Sequence, residues 1–549
     1  MAALNDPSAE APAQAHAQAQ IAPARLVVYT SDPTYSVRKG IAEINAAMPG
    51  LQWLILCHVP AKPLRQLLRN QWRNLRANGW RWIPYQIGDI WQRLFGAAGH
   101  PVRAQDPGYA YTAAGLAALP NVKIRRCQSI HADDAIQAVR AFAPTLGLSL
   151  AAPILREPLF SLPERGTINL HKGRLPDYRG MPPAFWELWN DEPAVGCSIH
   201  SVDAKLDTGA LVKAATLPRQ KFASVKAMQL QLDELGVALM REAVIERLQG
   251  AGQGLPQPAG GRTYRKPTLG QISTLDRRLQ ALEPATASAA KRIVRNTLAT
   301  TAHAAWRAGA RGLLAPRITV VLFHRITDEV RDNLTVGIAQ FDRQMALLRR
   351  HCQPISLHEV LADAPVPRTG KPLVAVTFDD GYLDNHSHAA PILLRHGIPA
   401  AFFVSTGIVH TTRPFPHDVR RGNAPIPTMN WDQIRQLREW GFTVGSHSVN
   451  HIDCAAESED TVRQELLQSK ADLKREIDLD APIFAYPYGG RQHMSAPRLA
   501  LVKQCGYSAC LSAYGGSNIG RVDPFNVLRQ GIHWEFSDQA FLLACLGIR

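Results

Sequence analysis

At 549 residues the chain is too long for one ordinary hydrophobic core, so two to four domains are expected. Its 46% apolar and 19% charged residues are ordinary for globular protein, and eight cysteines without a CxxC pair argue against a zinc ribbon or a thioredoxin-like site. The net charge of +15, from 61 basic and 46 acidic residues, points toward nucleic acid, an anionic membrane surface or a phosphorylated substrate and says nothing about fold.

Residues 2–24 are rich in Ala, Gln and Pro, lack aromatics and read as a disordered tail, residues 1–24 in all. No charged-then-apolar signal pattern opens the chain, and no apolar run is long enough to span a bilayer. With cysteines scattered in apolar contexts and read as reduced thiols, the expected location is cytoplasmic, with peripheral contact at the inner membrane face.

Leu26-Val27-Val28-Tyr29 and the stretch from Leu51 to Val59 read as buried strands, and Val122-Lys123-Ile124 and Leu146 to Ala152 as further ones. Helical patterns such as Asp133 to Phe142 lie between them. That alternation predicts a doubly wound α/β domain. Residues 63–95 interrupt it, with Arg65, Arg69, Arg73, Arg76 and Arg81 interleaved with Trp72, Trp80, Trp82, Tyr85 and Trp91. One reading is a helical insertion packing its tryptophans on the core; the other is a surface for anionic lipid or a lipid-linked substrate.

Asn169 and His171 stand two apart after the apolar Thr167-Ile168. On an ending strand such residues point to one side, so an amide and an imidazole converge. The amide suits an oxyanion, the imidazole suits proton transfer near neutral pH, and Asp207 is available to orient the ring. These are the tools for moving a one-carbon acyl group onto an amine. Residues 249–262 form a Gly/Pro/Gln-rich loop, Thr263 to Thr268 a short structured piece, and 286–312 an Ala-rich basic stretch with Lys291, Arg292, Arg295, Arg307 and Arg311, expected as a connecting helix. A new apolar strand, Ile318 to Phe323, opens a second domain at about 316–549.

There, Asp379 and Asp380 follow the apolar run Leu373 to Phe378, placing two carboxylates at a strand end. His447 and His451 are four apart, a spacing that puts both imidazoles on one face of a helical turn. Two imidazoles and one carboxylate make an open metal site, with the second carboxylate left to act as base.

The stretch Ile168 to Gly180, followed by Cys197-Ser-Ile-His200-Ser-Val-Asp203 and Leu206-Asp207-Thr208-Gly209, resembles the folate-dependent formyltransferases. The resemblance covers 25–265. It implies a Rossmann-like domain using 10-formyltetrahydrofolate, with Asn169, His171 and Asp207 as the catalytic trio and His200 near the folate. It also implies a folate pocket along Leu146, Leu148, Ala151 and Pro153. Lys172 and Gly173 follow His171 where many members have small residues, which bears on the acceptor pocket. No 100-residue basic barrel of the tRNA-acting type follows, so an amino sugar is expected as acceptor rather than nucleic acid.

Thr377-Phe-Asp-Asp-Gly381, His447-Ser-x-x-His451 and Phe484-Ala-Tyr-Pro-Tyr-Gly489 resemble the polysaccharide deacetylases, with Val321-Leu-Phe-His324-Arg325 in support. This implies a distorted (β/α) barrel over 316–549, joined to the first domain by a linker with a basic helix at 266–315. By carry-over Asp379 is the general base, Asp380, His447 and His451 hold a divalent metal, zinc by family habit, and Tyr488 supplies a backbone N–H to the oxyanion. Ala485 stands where many members have Arg; Arg529 is the expected substitute toward Asp379, and His533 the expected general acid. The two resemblances together imply removal of an N-acetyl group from an acetamido sugar, nucleotide- or lipid-linked and phosphate-bearing, and formylation of the exposed amine. A deformylase removing a temporary tag, and a non-sugar amine acceptor, are the alternatives.

Overall fold

The computed structural model describes residues 23–31, 33–60, 64–79, 101–283, 297, 301, 317–362, 371–480 and 482–547. The expected tail at 1–22, most of the Trp-rich stretch beyond 79 and nearly all of the basic stretch 286–312 lie outside them.

In chain order the first half contains β1 (Arg25–Thr30), β2 (Gln52–His58), β3 (Val122–Cys127), β4 (Leu146–Ser149), β5 (Thr167–His171), β6 (Tyr178–Gly180), β7 (Ala194–Ser201), β8 (Leu211–Pro218) and β9 (Arg262–Tyr264). Seven of these form one sheet in the order β3-β2-β1-β4-β5-β7-β8, while β6 pairs with β9. The strands from β3 to β5 run parallel, and β7 and β8 return antiparallel. Helices cover the central strands, so β1 and β4 are buried almost throughout and read as continuous apolar runs. The strand order reverses direction between β1 and β4. At such a switch point the carboxyl ends of neighbouring strands diverge and leave a crevice for a ligand.

The second half contains β10 (Arg317–Phe323), β11 (Arg325–Ile326), β12 (Thr335–Val336), β13 (Gln353–Pro354), β14 (Leu373–Phe378), β15 (Ala400–Val404), β16 (Thr443–Ser446), β17 (Ile483–Ala485), β18 (Ala509–Leu511), β19 (Asn518–Ile519) and β20 (Arg529–Gly531). Parallel pairing runs from β18 through β17, β16, β15 and β14 to β10. β20 pairs parallel with the other side of β10, and a parallel bridge from Leu511 to Val527 carries the sheet round toward it. The result is the expected curled (β/α) barrel. Phe323, Phe378 and Phe402 stack in succession, with centroids 5.5 and 4.7 Å apart.

Helix Leu269–Gln280 opens with a capping box between Thr268 and Gln271 and buries Leu275 and Leu279 in the first core. The compact part of the first half therefore continues past 265. Helix Val225–Leu248 serves both halves. Met228, Leu232, Leu239, Met240, Ala243 and Val244 pack on the first sheet, while Ala227 and Leu230 enter the core of the second half. Phe222 N–H donates to the Asp328 carbonyl at 2.8 Å, and Arg103 forks onto Glu359 at 2.6 and 3.1 Å across the same boundary. None of the eight cysteines forms a disulfide, and all but Cys127 are buried. Among the described residues no helix is long and apolar enough to cross a membrane.

Candidate active sites

In the first half, strand β5 delivers Asn169 and His171 to one side, as their spacing requires. β7 lies antiparallel beside it with His200 opposite Asn169, and the Asn169 Nδ2 stands 3.0 Å from His200 Nε2. The turn between β7 and β8 brings Asp207 back over this pair. Asp207 adopts a left-handed backbone (φ 55°), and Gly209 must be glycine because a Cβ would fall 1.8 Å from the Ser201 carbonyl oxygen. Asp207 Oδ2 accepts from Gly180 N–H at 3.2 Å and lies 3.6 Å from His171 Nδ1; Oδ1 lies 3.6 Å from His200 Nε2.

Hydrogen-bond logic sets the tautomers, since a carbonyl only accepts. His171 Nε2 must donate to the Tyr178 carbonyl at 2.7 Å, leaving Nδ1 bare toward Asp207. His200 Nδ1 must donate to the Ser201 carbonyl at 2.8 Å, so its Nε2 accepts from the Asn169 amide. The second N–H of that amide is left over for a substrate. Burial lowers the pKa of His171, and Asp207 only partly offsets it. Burial also pushes Asp207 upward, but the imidazoles of His200 and His171 outweigh it and hold the carboxyl below its usual range. A neutral base beside a fixed carboxylate is the outcome.

Gly173 explains itself here. A Cβ would come within 2.6 Å of both His171 Nε2 and the Tyr178 oxygen, breaking the bond that orients the ring. A cavity of about 410 Å³ opens beside His171, with Ala151, Lys172, Gly180 and Met181 among its walls. Leu146 and Leu148 correct the expectation for the folate pocket. Both are fully buried within β4, packed in the core because helices cover the central strands, and neither lines the cavity. Pro153 lies on the loop after Ala151, outside the lining.

In the second half, Asp379 and Asp380 follow β14 directly, and Asp380 takes φ 76°. His447 and His451 follow β16, but in a bend rather than on a helix. Ser448 and His451 have φ 62° and 55°, and the Glu465 carboxylate caps the N–H groups of Val449 and Asn450 at 2.8 Å each. The bend, not a helical face, folds the second imidazole back. The ligand atoms of Asp380, His447 and His451 lie within 4.8 Å of one another. Asp380 Oδ1 is 3.4 Å from His447 Nε2 and 3.2 Å from His451 Nε2. Donors set tetrahedrally about 2.0–2.1 Å from a zinc ion stand roughly 3.3 Å apart, so this spacing fits a small divalent cation. Both Asp380 oxygens are buried without a hydrogen bond, which fits the same cation. His447 Nδ1 donates to the Ala485 carbonyl at 2.8 Å, fixing the tautomer that presents Nε2.

Asp379 is held by Arg529, whose Nη1 and Nη2 each reach a carboxylate oxygen at 2.7 Å and whose Nε donates to Ser512 O. Arg529 comes from β20, so β20 carries the guanidinium while Ala485 contributes its carbonyl. Burial pushes the Asp379 carboxyl up, and Arg529 together with the imidazoles of His447 and His324 more than offsets it, holding the group below its usual range. The pair leaves two of the carboxylate's roughly four lone-pair sites for the cavity. That cavity, about 300 Å³, is lined by Asp379, Asp380, His447, His451, Tyr488 and His533 together with His324. Tyr488 takes φ 62°, and its ring lies edge-on to His451.

His417 went unseen in the sequence. It sits on helix Pro416–Arg420, with Nε2 3.6 Å from Asp380 Oδ2. Tyr382 gives its one proton to Asp418 at 2.6 Å, so His417 Nε2 donates to the Tyr382 oxygen at 2.8 Å. Burial lowers the His417 pKa to about 4. Arg325, fully buried, anchors the helix by bonding Asp418 and Asp332. No periodicity marks that cluster; only the fold assembles it.

Comparison with known proteins divides the chain in the same way. The formyl transferase family model matches residues 103–244, and the polysaccharide deacetylase family model matches residues 367–510. Methionyl-tRNA formyltransferase of Bacteroides fragilis is 30% identical over 125 residues, covering 23% of this chain and 39% of that protein. That of Cyanothece sp. is 34% identical over 111 residues, covering 20% and 33%. The chain thus spans less than half the length of these relatives. Among solved structures, the Streptococcus pyogenes deacetylase PplD in complex with acetate is 22% identical, with 42% of this chain and 99% of that chain covered at a TM-score of 0.36. The formyltransferase PseJ from Anoxybacillus kamchatkensis is also 22% identical, with 28% and 78% covered at a TM-score of 0.24.

Proposed function

Because the chain joins a formyl transferase segment to a polysaccharide deacetylase segment, we propose that it exchanges an acetyl group for a formyl group on the nitrogen of an amino sugar. The single observation that carries this reading is the pairing itself: a site suited to hydrolysing an amide, on the same chain as a site suited to acylating an amine. Hydrolysis yields acetate and the free amine; transfer consumes that amine.

In the second site, Asp380, His447 and His451 would hold a divalent cation, preferably zinc, and when bound it supplies polarisation of the amide carbonyl and a more acidic water. Asp379, ionised and fixed by Arg529, takes the proton of the attacking water. The Tyr488 backbone N–H faces the developing oxyanion, and His533 returns a proton to the departing amine. In the first site, 10-formyltetrahydrofolate is the donor. The acceptor amine attacks the formyl carbon, the Asn169 amide N–H stabilises the oxyanion, and bare Nδ1 of His171 takes the amine proton. Asp207 faces the imidazolium so formed, and the proton passes to the departing folate nitrogen. The acceptor sugar is phosphate-bearing, on a nucleotide or lipid carrier, in the assembly of a bacterial surface glycan. The proposed location is cytoplasmic, and the peripheral contact at the inner membrane is supported by helix Leu64–Asn78, which exposes Leu68 and Trp72 beside Arg65, Arg69 and Arg73.

The test is mass spectrometry of acetamido sugars incubated with the full chain, formyl-folate and zinc. The expected result is release of acetate and conversion of acetamido to formamido product, with Asp379→Asn stopping both on acetylated substrate. Release of formate without acetate, or unchanged formylation by Asp379→Asn, defeats the sequential scheme.

A further inference from the structure

The cavity beside His171 is not closed by its own half of the chain. Part of its wall is Arg395, from helix Ala390–His396 of the second half, which stands there with Tyr35, Lys172 and Asp233. Asp233 lies between two cations. Lys172 Nζ bonds one carboxylate oxygen, and Arg395 Nη2 bonds the other at 2.9 Å. The Arg395 guanidinium lies over the Tyr35 ring, 4.5 Å from its centroid. Tyr35 Oη in turn donates to the Pro391 carbonyl at 3.4 Å, on the same second-half helix. Gly397 ends that helix at φ +60°, and a Cβ there would fall 2.5 Å from Val102 Cγ1 of the first half. The docking of the two halves therefore sets where Arg395 stands.

The local charge does not cancel. Lys172 and Arg395 both bond Asp233, two positive charges against one negative, while Glu234 and Asp342, each paired with a lysine of its own, also act on Arg395. The adjoining Lys39, Glu43, Glu234 and Arg241 pair among themselves and leave no excess. Arg395 also spends little of its donor capacity within the protein, since Nη2 bonds Asp233 and Nε has no partner. The neighbouring wall is apolar, from Val37, Gly40, Val237 and Met240. A planar cation held by ring stacking in a mostly apolar cavity is suited to an oxyanion, which it meets with two parallel N–H groups.

We infer that Arg395, with Lys172, binds an oxyanion carried by the formyl acceptor, so that the acceptor subsite of the first half is completed by the second. The oxyanion is a phosphate or a carboxylate, which present the same oxygen chemistry to this pair. Identifying the ligand as the acceptor rests on the formyl-transfer reading of the first site; the oxyanion site itself rests on the charge and geometry above. Arg395 is a positioning residue here, since it touches the acceptor away from the reacting nitrogen.

The experiment is isothermal titration of the full chain with inorganic pyrophosphate and, separately, with malonate. Saturable binding of one is expected, and which one saturates identifies the oxyanion. Arg395→Ala is expected to weaken it about 10- to 100-fold, as for loss of a charge-assisted hydrogen bond. Arg395→Lys keeps part of the affinity, and Lys172→Met, altered on the other half, weakens binding too. In turnover, Arg395→Ala raises KM for the acceptor while kcat changes little. A merely structural ion pair would instead lower the unfolding midpoint and leave pyrophosphate and malonate affinity at wild-type values, which overturns the inference; so does failure of the wild type to bind either anion saturably. Failure of the formyl-transfer reading is distinct, appearing as Arg395-dependent anion binding in a wild type that moves no formyl group.

Discussion

In the first site the Asp207 carboxylate takes a backbone N–H and is flanked by two imidazoles whose remaining nitrogens are tied to carbonyls. In the second, the Asp380 carboxylate has three imidazoles within 3.6 Å, yet neither of its oxygens makes a hydrogen bond. On the proposed reading the first arrangement is complete as it stands and works by moving a proton, whereas the second, with both oxygens unsatisfied, is left for a cation to complete. The difference teaches that burial alone does not distinguish the two chemistries, since both carboxylates are buried or nearly so; the satisfaction of their oxygens does.

The largest expected effect comes from breaking the contrast at its centre. Asp380→Asn should abolish amide hydrolysis and lower the zinc stoichiometry measured by atomic emission, while formyl transfer to a preformed amine continues. If hydrolysis persists with metal removed, the second site is not a metal site. Next, Asn169→Ala should cut kcat for formyl transfer by about 10²–10³-fold, the usual consequence of losing an oxyanion donor. A loss confined to KM would mean that the amide binds substrate without stabilising the oxyanion.

Asp207→Asn sharpens the comparison through pH. His171 must be neutral to take a proton, and its pKa lies below the ordinary 6.5, so the acid limb of formyl transfer falls below that pH. Asp207 raises the His171 pKa, so removing its charge should move the limb further to acid and lower the plateau by about 10²-fold. A limb that moves toward neutral pH contradicts the assigned geometry. Last, and read in stability rather than rate, Arg529→Met leaves Asp379 buried without its partner and should cost about 3–5 kcal/mol in denaturant unfolding. An unchanged midpoint would show that Asp379 takes up a proton at little cost.

What the sequence disclosed follows the range of the interactions. Asn169 and His171 were legible because a strand's two-residue repeat is local, and Asp379 and Asp380 because an apolar run ends just before them. Arg529 was legible as a substitute for the absent arginine at Ala485, and it does reach Asp379. His447 and His451 were read as neighbours, but by the wrong device, because the same four-residue spacing suits a helix and a left-handed bend alike. The resemblance put Leu146 and Leu148 along the folate pocket, although a central strand covered on both faces offers neither side to a ligand. His417 and Arg395 had no local signal, since each depends on elements far apart in sequence coming to rest together.

Helix Val225–Leu248, with Ala227 and Leu230 in one core and Met228 and Leu232 in the other, has a consequence for how the two activities can change over generations. A substitution that loosens this helix lowers a stability margin common to both halves, so on the proposed reading neither activity can erode by destabilisation while the other is spared. Loss of one activity alone must come through replacements within its own pocket, which makes an intact fold with a single silenced site the expected signature of descent.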